Sequence, residues 1–72
     1  MFNARTDTTP GDLVRFKNDV RPQAEQPTGE VLGHRDGLVL VRMKHPVTKY
    51  RSAEVEVEGA YDESFLELVT PN

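Results

Sequence analysis

The 72-residue chain has no cysteine and no tryptophan, and only three phenylalanines and two tyrosines. Without cysteine, disulfide bonds and thiolate metal sites are excluded, and the absence fits a reducing compartment. The longest apolar run is Leu38 to Val41, far short of the roughly 20 apolar residues that a membrane-spanning helix needs. The first residues, Met-Phe-Asn-Ala-Arg, lack the apolar stretch of a signal peptide. The sequence therefore predicts a cytoplasmic protein without a membrane segment.

An excess of basic residues is also missing, because 9 Lys and Arg stand against 12 Asp and Glu, which gives a net charge of −3. That balance argues against unselective binding of polyanions and leaves room only for a local basic patch. Charged residues at 29% beside 36% hydrophobic residues are typical of a folded chain. The length allows one domain, whose core is marginal at this size.

The chain is organised around a predicted β-hairpin that spans residues 28–44. Asp36-Gly37 is a favoured pair for a type I′ turn, in which both central residues have positive φ. On the strand after the turn, Val39, Val41 and Met43 share one face, which we expect to be buried. The opposite face carries Leu38, Leu40, Arg42 and Lys44.

Three further strands are predicted from alternation of apolar and polar residues. The first covers residues 12–17, with Val14 and Phe16 inward. The fourth covers residues 50–58, where Ala53, Val55 and Val57 alternate with Glu54, Glu56 and Glu58. The last covers residues 65–69 and is entered through a helical turn at 62–64.

Residues 18–27 are polar and contain two prolines, so they predict a long exposed loop after the first strand. Val20 is the only bulky apolar residue in that loop. Residues 1–10 and 70–72 are predicted to be tails, of which the first is mobile, so that the domain spans residues 11–69.

Five short strands with one long loop predict an all-β fold, a small closed barrel, because closure removes the exposed sheet edges. The expected filling leaves the leucines of the hairpin on the outer face. Either the 18–27 loop covers them through Val20, or they form a patch that meets a partner or a second copy. The predicted filling is Val14, Phe16, Val31, Val39, Val41, Met43, Ala53, Val55, Val57 and Leu68.

The order of these parts resembles a five-stranded Src-homology-3-like barrel. Gly11-Asp12-Leu13-Val14 and Gly29-Glu30-Val31 are similar to KOW-type modules of ribosomal and transcription proteins. Glu67-Leu68-Val69 resembles the end of the barrel subunits of photosystem I and of ferredoxin–thioredoxin reductase. The plasmid-type dihydrofolate reductase, a tetramer of such barrels, has Gln-Ile-Tyr on a late strand where this chain reads Val55-Glu56-Val57-Glu58. The resemblance therefore implies a fold and no reductase activity.

The chain lacks a recognisable catalytic or metal-binding pattern. His34 and His45, the only histidines, have no neighbours at metal-ligand spacing. Neither serine has an activating context, and the chain contains no glycine-rich phosphate loop. We expect no enzyme activity, no cofactor and no metal.

The basic residues around the third and fourth strands allow two interpretations. They form a patch for nucleic-acid phosphates, or Arg42 and Lys44 pair across strands with Glu54 and Glu56. The residues of the nucleic-acid interpretation are Arg15, Lys17, Arg35, Arg42, Lys44, Lys49 and Arg51.

The sequence thus predicts a non-catalytic protein-interaction module, a small accessory or regulatory protein or a homo-oligomer. Its partner-binding residues are Val20, Leu32, Leu38 and Leu40. A KOW-like nucleic-acid-binding module is the alternative. An enzyme with an active site shared between subunits is the third.

Overall fold

The computed structural model describes residues 8–69, which form one five-stranded antiparallel sheet in the order β4-β3-β2-β1-β5. The all-β prediction is confirmed at this level. No helix in the described part of the chain is long and apolar enough to cross a membrane. The strands are β1 (Leu13–Phe16), β2 (Thr28–Arg35), β3 (Leu38–His45), β4 (Val55–Tyr61) and β5 (Leu66–Leu68), with 3-10 turns at Gln23–Glu25 and Glu63–Phe65.

The predicted hairpin is present as β2 and β3, joined at Asp36 and Gly37. Asp36 has φ 54° and Gly37 has φ 79°, so both central residues take the positive φ that a type I′ turn requires. The turn fixes the register at its end of the hairpin, where Arg35 lies opposite Leu38.

A β-bulge at Leu32 interrupts the alternation of β2. Val31 lies opposite Val41, but Gly33 lies opposite Leu40, so β2 carries one extra residue. The bulge brings His34 opposite Val39, on the face of the sheet that carries the buried valines. We call that face the inner face and the opposite one the outer face.

The core lies on the inner face and consists of the buried side chains of Val14, Val31, Val39, Val41, Met43 and Leu66. Phe16, Tyr61 and Leu68 pack against it. Gly29 allows this packing, because a methyl group at its Cα would overlap Met43 Sδ and Val41 Cγ1. Pro27, at the end of the long loop, is also fully buried.

The fourth strand differs from the prediction in both its bounds and its burial. It begins at Val55 rather than residue 50, and it continues through Gly59, where the ring of Tyr61 packs over the missing side chain. Odd-numbered residues of β4 lie opposite odd-numbered residues of β3, with Gly59 opposite Val41 and Val57 opposite Met43.

The predicted burial of Ala53, Val55 and Val57 is wrong. Ala53 is exposed, Val55 is 42% exposed and Val57 is 48% exposed. β4 is an end strand of the sheet, and among residues 8–69 it pairs with β3 alone. Glu56 is exposed on the outer face, as the alternation indicated.

The segment before β1 packs against the sheet as far back as the described residues reach. Thr8 is only 7% exposed, and its Oγ1 lies 3.0 Å from His34 Nε2 in a hydrogen bond. The amide of Gly11 donates to the carbonyl of Val31. Of the two predicted tails, residues 1–7 and 70–72 lie outside the described residues.

Candidate partner-binding surfaces

Exposed apolar side chains concentrate at one end of the sheet. Eight large hydrophobic residues are exposed among residues 8–69, and five of them lie on two loops and the first half of β4. Both loops leave the sheet at the same end, because Thr28 pairs with Lys44 and His45 pairs with Val55. We call these five residues the loop-end surface: Val20, Val47, Tyr50, Val55 and Val57.

The β1–β2 loop holds Val20 out to solvent on a hydrogen-bonded frame. Arg21 donates from Nε and Nη2 to the two carboxylate oxygens of Asp19, at 2.9 and 2.6 Å. Gln26 Nε2 donates to the carbonyls of Asp19 and Arg21. Between these paired residues Val20 is 97% exposed.

Val20 does not cover the hairpin leucines. Its neighbour Arg21 acts on the charge of His45 at the end of β3, whereas Leu38 is at the opposite end of that eight-residue strand, about 23 Å away along the strand. Of the two alternatives for the hairpin leucines, cover by the 18–27 loop through Val20 is therefore wrong, since Val20 is 97% exposed. The residue that anchors this loop is Pro27.

The β3–β4 loop, residues 46–54, presents Tyr50 at its tip. Thr48 and Arg51 exchange backbone hydrogen bonds of 2.9 and 3.1 Å, and Thr48 Oγ1 accepts from the amide of Tyr50. The turn leaves the Tyr50 side chain 84% exposed. Lys49 Nζ lies 5.6 Å from the centre of the Tyr50 ring, within the range of a cation–π contact.

The two loops face each other across a cleft of about 190 Å³ lined by Arg21, Glu25, Thr48, Tyr50 and Arg51. The pKa of His45, at the base of the β3–β4 loop, is lowered by burial and by the charges of Arg51 and Arg21. Arg21 in turn holds the pKa of Asp19 below its usual range by hydrogen bonding. Carboxylates of Asp19 and Glu25 therefore lie among the arginines, and the charge of this end is mixed.

The hairpin leucines occupy the other end of the outer face. Leu32 is exposed at the bulge, whereas Leu38 and Leu40 are half-buried. Leu40 lies between Gly33 and Ala60 on the neighbouring strands. These leucines are not part of the inner core cluster, and their role in binding stays a prediction.

The basic residues of the nucleic-acid alternative are scattered. Arg15 pairs with Glu67 at 2.6 Å and Arg42 pairs with Glu58 at 3.1 Å. Lys44 lies opposite Glu56 in the register. Arg42 thus pairs across strands with Glu58 rather than with Glu54 or Glu56, and Lys44 has a glutamate opposite it in the register.

The remaining basic residues do not restore a continuous stripe. Lys17 lines a cleft together with Asp62 and Glu63. Arg35 is next to the hairpin turn, at the end of the sheet away from the loops. Lys17 and Lys44 lie where β1 and β3 meet the two loops, and Lys49 and Arg51 lie on the β3–β4 loop itself.

Residues 8–69 contain no group of three or more His, Cys, Asp or Glu side chains arranged to hold a metal ion. His34 is hydrogen-bonded to Thr8 on the inner face, and His45 lies at the base of the β3–β4 loop. Comparison with protein-family models, with curated proteins and with solved structures finds no match to this chain.

Sequence reasoning missed Val55 and Val57 as surface residues because it placed them on the inner face of a strand over residues 50–58, and it gave Val47 and Tyr50 no role in binding. One local signal pointed the other way. A threonine two residues before Tyr50 is typical of a turn closed by the threonine hydroxyl, and Thr48 makes that hydrogen bond.

Proposed function

We propose that this chain is a small non-catalytic protein-interaction module, an accessory or regulatory protein, that binds a protein partner through the loop-end surface. The main support is that five of the eight exposed large hydrophobic side chains of residues 8–69 lie on this surface. Tyrosine and arginine are enriched among binding hot spots, and Tyr50 with Arg21 and Arg51 supplies both at this end. An apolar group of this kind on a soluble domain marks an interaction site.

The loops that carry this surface are fixed by their own hydrogen bonds. The Asp19–Arg21 pair frames Val20, and the Thr48–Arg51 turn frames Tyr50. A surface that is already ordered loses less conformational freedom on binding than a flexible one. This arrangement favours a dedicated binding surface.

We further propose that the sheet coils into a Src-homology-3-like small barrel that stays open between its end strands β4 and β5. Support comes from the position of β1 between β2 and β5, and from the contact of Phe16 on β1 with Tyr61 on β4. The interior of a barrel this small is filled by side chains. Binding then takes place beyond the filled interior, on the loops that carry Val20, Val47 and Tyr50 and on the uncovered start of β4 with Val55 and Val57.

Site-specific photo-crosslinking tests the proposal. A photoreactive phenylalanine replaces Tyr50 in one variant and Arg35, at the opposite end of the sheet, in a matched control. In nuclease-treated native lysate we expect protein adducts from position 50 and none from position 35. A Val20→Ser/Val55→Ser background should abolish the adducts from position 50 while the circular dichroism spectrum stays unchanged. Equal adducts at both positions would overturn the proposal.

Nucleic acid is the second candidate, favoured by one specific group. Tyr50 is an exposed aromatic ring beside Lys49 and Arg51, and single-stranded nucleic acids bind stacking rings beside positive charges. Burial is the larger cause that lowers the pKa of His45, and the charges of Arg51 and Arg21 add to it. A bound phosphate chain would offset the part due to these charges. An oligonucleotide should then raise the pKa of His45 in an NMR titration and bind less tightly as salt increases. An unchanged pKa with no salt-dependent binding counts against this candidate.

A further inference from the structure

We propose that the free edge of β4 binds an extended peptide segment in which basic and β-branched apolar residues alternate, so that the partner adds a strand to the sheet. This inference rests on the proposed function and specifies the partner for the β4 part of the loop-end surface. Strand addition of this kind takes its affinity from backbone hydrogen bonds and its specificity from alternate side chains.

The two end strands of the sheet are protected to different degrees. β5 has three residues, whereas β4 has seven. Edges are usually blocked by short strands, prolines, bulges or charged side chains, lysine above all. Within Val55–Tyr61 there is no proline, no lysine and no register shift against β3, and its charged residues are Glu56 and Glu58 on the outer face. These glutamates repel an acidic strand and favour a basic one. Among residues 8–69 only β3 pairs with β4, so the other side of its backbone is open.

The inner face of β4 provides an apolar row beside the core. Val55 is 42% exposed and Val57 is 48% exposed, while Met43, directly opposite Val57 on β3, is fully buried. An added strand with β-branched residues on this face would cover both valines. The core, which now ends in an exposed row at β4, would then extend by one strand.

The outer face of β4 determines the charge of the partner. One row across the sheet runs from Glu30 on β2 to Arg42 on β3 and Glu58 on β4, and the next row pairs Lys44 with Glu56. The sign alternates from strand to strand, and both rows end on an exposed glutamate. Because opposite charges stabilise neighbouring strands and like charges destabilise them, the next strand should carry basic residues there.

The same rule excludes a second copy of this chain as the occupant. If two β4 strands paired antiparallel with their inner faces on the same side, valines would lie across from valines. Glutamates would then lie across from glutamates in every such register, since residues 54, 56 and 58 are all glutamate. Repulsion between these rows disfavours self-association through β4.

The experiment uses a capped seven-residue peptide of alternating lysine and valine, with three controls. One control alternates glutamate and valine, one has the lysine–valine composition in scrambled order, and one is N-methylated at alternate residues to remove backbone donors. Binding is measured by fluorescence anisotropy, and its position by NMR shifts and amide hydrogen exchange of the full chain. Analytical ultracentrifugation of the chain alone measures self-association.

We expect the alternating lysine–valine peptide to bind at least tenfold more tightly than each control and to slow exchange of the β4 amides. Glu56→Lys/Glu58→Lys should reverse the preference toward the glutamate–valine peptide. Because that variant places lysines opposite Arg42 and Lys44, Glu56→Gln/Glu58→Gln serves as the milder change, and it should weaken binding tenfold or more.

Equal binding of the scrambled peptide, shifts confined to the loops or β5, or dimers that form through β4 would each overturn strand addition. Absence of binding by any peptide would overturn it as well. None of these outcomes affects the photo-crosslinking from position 50, which tests the module function separately.

Discussion

Phe16 and Tyr61 meet edge to face, with ring centroids 5.3 Å apart and an interplanar angle of 73°. The two residues belong to β1 and β4, which are separated in the sheet by β2 and β3. In a flat sheet these strands would lie about 14 Å apart. The contact therefore brings β1 and the end strand β4 toward each other over the inner face, across the buried side chains of β2 and β3.

The first prediction concerns this contact. Phe16→Leu and Tyr61→Leu should each destabilise the domain, and the two effects should not add, because an aromatic pair contributes about 0.5–1.5 kcal/mol beyond its buried area. A double-mutant cycle in urea unfolding measures the coupling. Strict additivity would mean that the rings are near each other without stabilising the coil.

Gly29 is the second test, since its missing side chain permits β1, β2 and β3 to pack closely. Gly29→Ala should destabilise the domain by about 1–3 kcal/mol, as overpacking of a core does, because the methyl group would overlap Met43 and Val41. Gly33→Ala is the matched control, because a Cβ there meets nothing within 4 Å. Thermal unfolding of both variants gives the comparison, and equal losses at the two sites would contradict the packing argument.

Val41 and Val57 provide the third prediction, a contrast between two valines on the same face. Val41 is fully buried, and Val57 is half-exposed at the edge. Val41→Ala should cost on the order of 2 kcal/mol through lost transfer energy and a cavity, whereas Val57→Ala should stay within about 0.5 kcal/mol. Urea midpoints decide between the sites, and a larger loss at Val57 would show that β4 is covered in solution.

What the sequence predicted well is what local chemistry determines. The Asp36-Gly37 turn is predictable because it depends only on two residues that accept positive φ. The valines of β3 are predictable because they alternate with period two on a strand that lies between β2 and β4. Alternation says which residues share a face, but it does not say whether a neighbour covers that face. For that reason the prediction of a buried position is correct for Val39 and Val41. It is wrong for Val55 and Val57, which share the face but lie on the end strand.

The bulge at Leu32 shows a second limit. A glycine inside a strand pattern is a signal for a bulge, and Gly33 lies next to the extra residue. The signal does not say which face the following residues take. His34 therefore lies on the inner face, which strict alternation from Val31 does not predict. The candidate surface was found only in part, through Val20, because loop positions depend on tertiary contacts.

The fourth prediction concerns the hairpin leucines. Leu38→Ser/Leu40→Ser removes two half-buried side chains, so the domain should remain folded and lose about 1–3 kcal/mol of stability. If the outer face of the hairpin is an additional interface, the same variant should weaken partner capture at position 50 or self-association. Unchanged capture and an unchanged sedimentation coefficient would remove these leucines from the binding surface.

The last prediction is a pH dependence of stability that depends on His45. Burial, Arg51 and Arg21 lower the pKa of His45 from its usual 6.5 in the folded chain. The unfolded state then binds more protons than the folded state below about pH 6.5, so stability is full above that pH and falls as the pH drops through the lowered value. Asp19 and Asp62 have pKa values lowered from 3.8 and act at more acid pH. The urea midpoint of the parent chain should therefore fall as the pH is lowered from 7.5 to 5. The midpoint of His45→Asn should change less over the same range. Of the two arginines, Arg51 has the larger effect on the imidazole. Arg51→Gln should therefore give a dependence of the urea midpoint on pH between those of the other two chains. Parallel curves for all three chains would show that His45 is hydrated in solution and that the two loops do not enclose it.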